Sequence, residues 1–130
     1  MNRLILVAED NDINRILMED ILRHLQCDIC HAVNGQEAID LARLRRPALI
    51  LMDLQLPGVD GISATRTLKQ DPETREIPIL AVSSYAFERE RNLFLQAGGD
   101  DYISKPFDID DLLQRVEGFL EGDGKDEQKG

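Results

Sequence analysis

Five short apolar runs, separated by longer amphipathic segments, are the feature that most constrains the fold of this chain. Runs of this length that recur between helical segments are typical of βαβ units, in which helices bury both faces of a parallel sheet. The sequence therefore predicts an α/β fold, a doubly wound sheet of five parallel strands with helices on both faces. The second run is the most polar and is expected to form an edge strand. The runs are Leu4–Ala8, Asp28–Ala32, Ala48–Met52, Ile79–Val82 and Tyr102–Ser104.

The segments between these runs carry helix signals. Asn11 or Asp12 is expected to cap the first helix, Gly98 and Gly99 to end the fourth, and Asp108 to cap the fifth. The helices are expected near Ile13–Gln26, Gln36–Leu44, Ile62–Lys69, Glu88–Ala97 and Ile109–Leu120. Six apolar residues of the first helix are expected to form one inward stripe: Ile13, Ile16, Leu17, Ile21, Leu22 and Leu25.

The length of the chain indicates a single domain. A chain of 130 residues, 42% of them hydrophobic, can bury one core. We expect this domain to span residues 1–120. Residues 121–130 offer no apolar side chain for burial and are expected to be a disordered polar tail.

The charge of the chain excludes several kinds of partner. A formal net charge of −10 disfavours binding to a nucleic-acid backbone or to an anionic membrane surface. The apolar run Leu4–Ala8 is interrupted by Glu9 and Asp10, so it is too short for a signal peptide or a membrane span. A cytoplasmic location is the resulting expectation.

Cys27 and Cys30 have the C-x-x-C spacing of some metal and redox sites. In the extended backbone predicted here, however, three residues separate the two Cα atoms by about 10 Å, which is too far for a disulfide. We therefore interpret both residues as ordinary, partly buried thiols.

Polar residues follow four of the five apolar runs directly. In open parallel sheets, ligands bind beyond the carboxyl ends of the strands, where the winding direction reverses. Four separate stretches of sequence therefore deliver three acids, two hydroxyls and one amine to one edge of the sheet. These residues are Glu9 and Asp10 after the first run, Asp53 after the third, Ser83 and Ser84 after the fourth, and Lys105 after the fifth.

Three acids at one edge require compensation. If the first and third strands are neighbours, the carboxylates of Glu9, Asp10 and Asp53 lie within several ångströms of one another. At ~4 Å and an effective dielectric of ~20, each pair repels by ~4 kcal/mol. A site of a few carboxylates without His or Cys, with room for water and a phosphate, suits Mg²⁺ better than Ca²⁺.

Four motifs, in order along the chain, closely resemble those of the response-regulator receiver domain of two-component signalling. The resemblance spans about Leu4 to Leu120 and implies a flavodoxin-like strand order, 2-1-3-4-5. The motifs are Glu9-Asp10-Asn11, the stretch from Leu49 to Gly61 around Asp53, Val82-Ser83-Ser84, and Lys105-Pro106-Phe107.

The resemblance implies that Asp53 accepts a phosphoryl group from a histidine kinase or a histidine phosphotransfer protein. Mg²⁺ would be held by Asp10, by Asp53 and by the backbone carbonyl of Gln55, with Glu9 acting through a water. The chain would then be a signalling domain that catalyses only its own phosphorylation and dephosphorylation.

Three further residues receive roles on the phosphoryl side of the site. The resemblance implies that the Ser83 hydroxyl, a backbone N–H around Ser84 and the Lys105 amine bind phosphoryl oxygens. It also implies a cis Lys105-Pro106 peptide bond. Tyr85 is bulky and close in sequence to this group, so we expect it to shield the acyl phosphate from water.

Tyr102 matches the switch aromatic of the family. In that interpretation the phosphoryl group draws Ser83 inward and Tyr102 swings into the vacated space, which changes the surface of the fourth helix, fifth strand and fifth helix. The other interpretation, a half-buried strand aromatic without a switching role, stays open.

Three other classes of protein share parts of this pattern. An aspartate-nucleophile phosphatase of the haloacid dehalogenase type needs a second Asp two residues after the first, where this chain has Gln55. A flavodoxin-like or dinucleotide-binding protein needs a phosphate loop after the first strand, where Glu9 and Asp10 would repel phosphate. An interaction module that never takes phosphate is disfavoured because no part of the site is missing.

The biological setting leaves two alternatives. Asn11, Asn14 and Arg15 resemble both the receivers of hybrid histidine kinases and stand-alone regulators of cell-cycle type. The position of Met1 directly before the first strand favours a short stand-alone regulator, expected to be a monomer or weak homodimer. Its output would pass to a protein target rather than to DNA.

Overall fold

The sheet has five parallel strands, and the computed structural model describes them within residues 2–84 and 87–122. Their order is β2-β1-β3-β4-β5, which confirms the predicted doubly wound sheet with its polar second strand at an edge. Residue 85 and most of the predicted tail, residues 123–130, lie outside the described residues. The strands are β1 (Leu4–Ala8), β2 (Asp28–Ala32), β3 (Leu49–Met52), β4 (Ile79–Ser83) and β5 (Asp101–Ser104).

Five helices alternate with the strands. Four of them begin after a residue whose side chain accepts a hydrogen bond from a backbone N–H of the first turn: Asn11, Asn34, Asp60 and Asp108. The fourth helix follows Phe87 and has no such side-chain cap. The helices are α1 (Asp12–Leu22), α2 (Gly35–Arg45), α3 (Gly61–Gln70), α4 (Glu88–Gln96) and α5 (Ile109–Leu120).

Two hydrophobic layers cover the sheet. Helices α2, α3 and α4 pack on one face through residues such as Ile39, Leu68 and Phe94, and α1 and α5 pack on the other through Leu22 and Leu112. Strands β1, β3 and β4 are buried along their whole length, as expected for the centre of a doubly wound sheet. The polar ends of these strands are therefore held on a rigid core.

The predicted inward stripe of α1 is partly wrong. Met18 and Leu22 are the buried residues of this helix, whereas Ile13, Ile16 and Leu17 are 69%, 58% and 54% exposed. The helix is apolar over more of its circumference than one packing face can cover, so the sequence pattern did not specify which side meets the sheet. The helix also ends at Leu22 rather than Gln26, because residues 23–26 form a turn.

The two cysteines are free and half-buried. Cys27 packs with the layer of α1 and α5, while Cys30 packs with the opposite layer of α2 to α4. Burial raises the pKa of both thiols above the ordinary value. Among the described residues, therefore, these side chains do not converge on a common site.

Within residues 2–84 and 87–122, no helix combines the length and the apolar character that crossing a bilayer requires.

The loop after β3 lies directly against the start of α2. A Cβ added at Gly35 would fall 1.8 Å from the carbonyl oxygen of Val59, which is backbone and cannot turn aside. Only a glycine allows this approach of the two segments.

We expect Gly35→Ala to lower the free energy of unfolding by about 2–3 kcal/mol, because the new methyl group forces the α2 start and the Val59 loop apart. Urea unfolding followed by circular dichroism measures the change. Gly122→Ala is the control, since a Cβ there meets no atom within 4 Å. An unfolding midpoint for Gly35→Ala equal to that of the control would contradict the contact.

Candidate functional site

Three carboxylates meet at the carboxyl ends of β1 and β3. Glu9 and Asp10 follow β1 and Asp53 follows β3, and each offers an oxygen that lies within 4.8 Å of the others. The parallel register pairs Ala8 with Met52, and the Asp53 N–H donates to the Ala8 carbonyl at 3.0 Å. The structure thus places together the three acids that the sequence singled out.

The acids differ in their exposure to water. Glu9 and Asp53 are only 6% and 8% exposed, whereas Asp10 is exposed at the rim. Two buried carboxylates beside a third are electrostatically costly without a positive partner. An all-oxygen cluster of this kind could hold a hard divalent cation.

Lys105 supplies the positive charge of the site. Its Nζ donates to Glu9 Oε1 at 3.0 Å and lies 3.7 Å from Asp53 Oδ2. The lysine side chain leaves the end of β5 and reaches Glu9 after β1, so it crosses the opening above β3 and β4. The Lys105-Pro106 peptide bond is cis, as the resemblance implied.

Both oxygens of the Glu9 carboxylate already have partners. Lys105 donates to Oε1, and the backbone N–H of Asn11 donates to Oε2 at 3.1 Å. Arg15 reaches back from α1 towards the Glu9 carbonyl, with Nη1 at 3.4 Å, and pairs with Asp12 at 2.6 Å. Arg15 was not among the site residues predicted from the sequence, although its half-buried position on α1 brings it to the end of β1.

The loop after β3 holds the Asp53 carboxylate from the other side. The Gln55 N–H donates to Asp53 Oδ1 at 2.9 Å. Leu54 and Leu56 are 2% and 6% exposed and anchor the backbone on either side of Gln55, which is itself exposed. Gly58 has a φ of 69°, the left-handed conformation expected for the turn that follows.

The end of β4 brings two serines to the same edge. Ser83 is fully buried, and its carbonyl accepts a hydrogen bond from the Lys105 N–H at 2.9 Å. Ser84 is exposed, and its Oγ donates to the side-chain carbonyl Oε1 of Gln55 at 3.1 Å. No sequence signal predicted this bond, because it joins two loops that are 29 residues apart.

Tyr102 lies on β5, in register with Ala81 of β4. Its half-buried ring packs against Phe94 of α4, with 6.4 Å between ring centroids. Burial raises the pKa of the phenol above its ordinary value. The phenol oxygen is buried and has no hydrogen-bond partner within the described part of the chain.

An apolar groove of about 420 Å³ opens directly beside the acids. Glu9, Asp53 and Lys105 form its polar end. Its apolar walls come from α1, from the ends of the central strands and from the segment that leads from β5 into the start of α5. They include Leu17, Met18, Ile21, Pro106, Phe107 and Ile109. This groove was not predicted from the sequence, although the apolar excess around α1 was a signal for a second contact surface.

The fold and the site define a class of protein. The chain belongs to the response regulator receiver domain family, whose model matches residues 5–117.

Particular relatives are similar over almost the whole chain. It is 38% identical over 120 residues to the polar-differentiation response regulator DivK of Brucella anthropi, covering 92% of this chain and 98% of that protein. DivK of Brucella ovis is 37% identical over the same shares of the two chains.

Solved structures show the same architecture. The receiver domain of a sensor histidine kinase from Pseudomonas aeruginosa PAO1 has a TM-score of 0.84 and 35% identity, covers 92% of this chain and 98% of its own, and contains magnesium in its active site cleft. The receiver domain of a signal transduction histidine kinase from Syntrophus aciditrophicus has a TM-score of 0.85 and 33% identity, with coverages of 92% and 90%.

We expect Mg²⁺ to stabilise the folded chain, because it relieves the repulsion among Glu9, Asp10 and Asp53. At about 100 times the dissociation constant, a ligand specific for the folded state adds ~2.7 kcal/mol to the free energy of unfolding. Thermal unfolding with and without Mg²⁺ measures this. Asp10→Asn should lose most of the gain and Asp12→Asn, the control, should keep it; an equal gain in both variants would place the ion elsewhere.

Proposed function

We propose that the chain receives a phosphoryl group on Asp53, from a phosphohistidine of a kinase or phosphotransfer protein, and passes the signal to a protein partner through a change of shape. The observation that carries this proposal is the surroundings of Asp53. A nearly buried carboxylate faces one amine, sits among two further acids and opens at a ligand-binding edge of the sheet.

The three carboxylates support a site for Mg²⁺. Asp10, Asp53 and the backbone carbonyl of Gln55 would hold it directly. Glu9, whose oxygens accept from Lys105 and from the Asn11 N–H, would act through a water, as the family resemblance implies. When bound, the ion would neutralise charge on the phosphoryl oxygens.

The transfer itself is a displacement at phosphorus. A carboxylate oxygen of Asp53 forms a bond to phosphorus while the bond to the imidazole nitrogen of the donor breaks, and the imidazole leaves with the electron pair. Lys105 lies 3.7 Å from Asp53 Oδ2 and would turn from Glu9 to pair with a phosphoryl oxygen. The Ser83 hydroxyl and the Ser84 backbone N–H would bind the other oxygens.

Hydrolysis of the acyl phosphate would end the signal, because it releases phosphate and restores the Asp53 carboxylate. Beyond the phosphodonor and water, these two reactions need no further substrate. We therefore infer a signalling domain that acts only on its own phosphorylation state, rather than an enzyme with a separate product. Gln55 in the position of a second catalytic acid supports this choice over an aspartate-nucleophile phosphatase.

The output would pass through β5 and its neighbours. The backbone of Lys105 is tied to Ser83, so a Ser83 side chain drawn toward phosphate acts on the same strand that carries Tyr102. Arg115 of α5 pairs with Asp101 at 2.9 Å and reaches the Tyr102 carbonyl at 3.4 Å. A movement of Tyr102 would therefore alter both α4, through Phe94, and α5, through Arg115.

The exposed apolar face of α1 is the surface we assign to the phosphodonor. Leu17 lines the groove that ends at Asp53 and Lys105, and Ile13 and Ile16 are exposed on the same helix. A donor helix packed on this face would present its histidine to the acceptor. The acidic character of the chain disfavours nucleic acids and anionic membranes as partners.

A second setting has specific support. The receiver domains of two histidine kinases are among the similar solved structures. The same phosphoacceptor chemistry would then serve as one relay station of a hybrid histidine kinase, with Asp53 accepting from its kinase and donating to a phosphotransfer protein.

We expect the wild-type chain to gain one phosphoryl group when incubated with acetyl phosphate and Mg²⁺. Asp53→Asn should gain none, since the attacking carboxylate oxygen is gone, and Asp12→Asn should behave as wild type. Intact-mass spectrometry measures the uptake, and peptide mapping after trapping locates it. Uptake by Asp53→Asn at the wild-type rate would disprove the assignment.

We expect the Tyr102 ring to move when beryllofluoride and Mg²⁺ bind. The ring resonances of Tyr102 and Phe94 in NMR spectra should shift, and the Tyr102 ring should show contacts to new neighbours, because the phenol leaves its present packing on α4. Asp53→Asn serves as the control and should show neither change. A ring with identical contacts in the free and bound forms would remove Tyr102 from the mechanism.

A further inference from the structure

The side chain of Arg15 holds the turn between β1 and α1. Its Nη1 donates to the Glu9 carbonyl at 3.4 Å, and its Nη2 donates to the Asp12 carboxylate at 2.6 Å. The Asp12 side chain is 80% exposed, so water screens that ion pair. Glu9 is only 6% exposed, and the Arg15 side chain is 21% exposed. The bond to the Glu9 carbonyl is therefore the more shielded of the two contacts.

The place of Arg15 in its helix needs an explanation. Arg15 is the fourth residue of α1, which begins at Asp12. A cation in the first turn lies at the positive end of the helix macrodipole, where it is unfavourable. Helix formation therefore does not account for an arginine at this position, whereas a contact with the end of β1 does.

Arg15 acts on the peptide unit that leads from Glu9 to Asp10. The carbonyl oxygen that it binds belongs to this unit, and a peptide unit is planar, so the bond restrains the orientation of the whole unit. The next unit leads from Asp10 to Asn11 and is held by its N–H, which donates to Glu9 Oε2 at 3.1 Å. One hydrogen bond thus holds the backbone on each side of Asp10.

Asp10 depends on this backbone for its direction. Its side chain is exposed, and no hydrogen bond or ion pair from residues 2–84 and 87–122 holds it. One of its oxygens nevertheless lies within 4.8 Å of oxygens of Glu9 and Asp53. The two flanking peptide units therefore keep the exposed carboxylate beside the two buried ones.

We propose that Arg15 is a positioning residue of the metal site, which holds the Glu9-Asp10 peptide so that the Asp10 carboxylate is aimed at the cation before the cation binds. The inference rests on the proposed function, because it concerns the Mg²⁺ site of Asp10 and Asp53. Arg15 sets the affinity for the ion through the backbone and contacts neither the ion nor the phosphoryl group.

Charge and positioning predict opposite effects when Arg15 is replaced. A positive charge close to the acids repels Mg²⁺, so its removal alone would strengthen binding. Loss of the hydrogen bond frees the Glu9-Asp10 peptide, so Asp10 must be ordered when the ion binds, and this weakens binding. The direction of the change therefore shows whether Arg15 acts by positioning.

We expect Arg15→Met to raise the dissociation constant for Mg²⁺ by about three- to tenfold. Removing a group that orients a metal ligand directly costs about 10- to 100-fold, and Arg15 acts one step further away, through the backbone. Arg23→Met is the matched control, because it removes the same charge at the other end of α1, where Arg23 pairs with Glu19 and Asp20. Its dissociation constant should stay within about twofold of wild type, since exposed pairs contribute little.

The affinities are measured by Mg²⁺ titration of the backbone amide resonances of Asp10, Asn11 and Asp53 in two-dimensional NMR spectra. Asp12→Asn tests the other contact of Arg15. The asparagine keeps an oxygen that accepts from the guanidinium, so this variant should bind Mg²⁺ as wild type does.

A second measurement needs neither metal nor phosphoryl group. Nitrogen-15 relaxation of the metal-free chain should show the backbone amides of Asp10 and Asn11 more mobile in Arg15→Met than in wild type or Arg23→Met. If Arg15 only stabilised the fold, urea unfolding without metal would change, while these amides and the affinity of the folded chain would not. Unchanged mobility of both amides in Arg15→Met would overturn the proposal.

The outcomes separate this proposal from the proposed function. If wild type binds no Mg²⁺, the metal site fails and the role of Arg15 fails with it. If wild type binds Mg²⁺ but takes no phosphoryl group on Asp53, the proposed function fails, and the titration still decides the role of Arg15. A dissociation constant of Arg15→Met equal to or below the wild-type value, or an equal rise in Arg23→Met, overturns the role of Arg15 alone.

Discussion

The mutual repulsion of Glu9, Asp10 and Asp53 is the constraint on which the rest of the structure depends. Their oxygens lie within 4.8 Å of one another, and two of the three side chains are nearly buried. At an effective dielectric of ~20, each close pair costs about 3–4 kcal/mol, less for the exposed Asp10. The stability of the apolar sheet maintains this arrangement, and one amine offsets part of its cost. The site therefore keeps an excess of negative charge that favours the binding of cations. A phosphoryl acceptor that works with a metal ion requires this property.

The sheet meets this demand by fixing where each side chain starts. Strands β1, β3 and β4 are buried over their full length, so the residues after them leave the core at defined points of one edge. Lys105 comes from β5 at the far side and closes the site over β3 and β4. The same strand carries Tyr102, which packs on α4, while Arg115 ties it to α5. Strand β5 thus connects the amine of the proposed acceptor site with the surface proposed for output.

Much of this was predictable because apolar runs and the residues after them are local features of the sequence. The bounds of β1 and β2 were predicted correctly, and Asp53 followed its strand where expected. The predicted inward stripe of α1 was only partly correct, since the apolar pattern of this helix does not reveal which side is buried. Leu22 of that stripe is buried, whereas Ile13 is exposed and Met18, which the stripe left out, is buried. The Ser84–Gln55 bond was not predictable, because it depends on how two flexible side chains meet across loops. The roles of Ser83 and Tyr102 remain predictions drawn from family resemblance.

The engagement of Lys105 by Glu9 has a consequence for selectivity in a crowded cell. Free phosphate and nucleotides are abundant anions, and an unoccupied ammonium group at a ligand-binding edge would attract them. Here Glu9 Oε1 accepts from that ammonium at 3.0 Å, and the surrounding acids outnumber it. An inorganic anion that approaches the site therefore meets net negative charge. Under the proposed function, a phosphoryl group would therefore enter together with compensating cations rather than as a free anion.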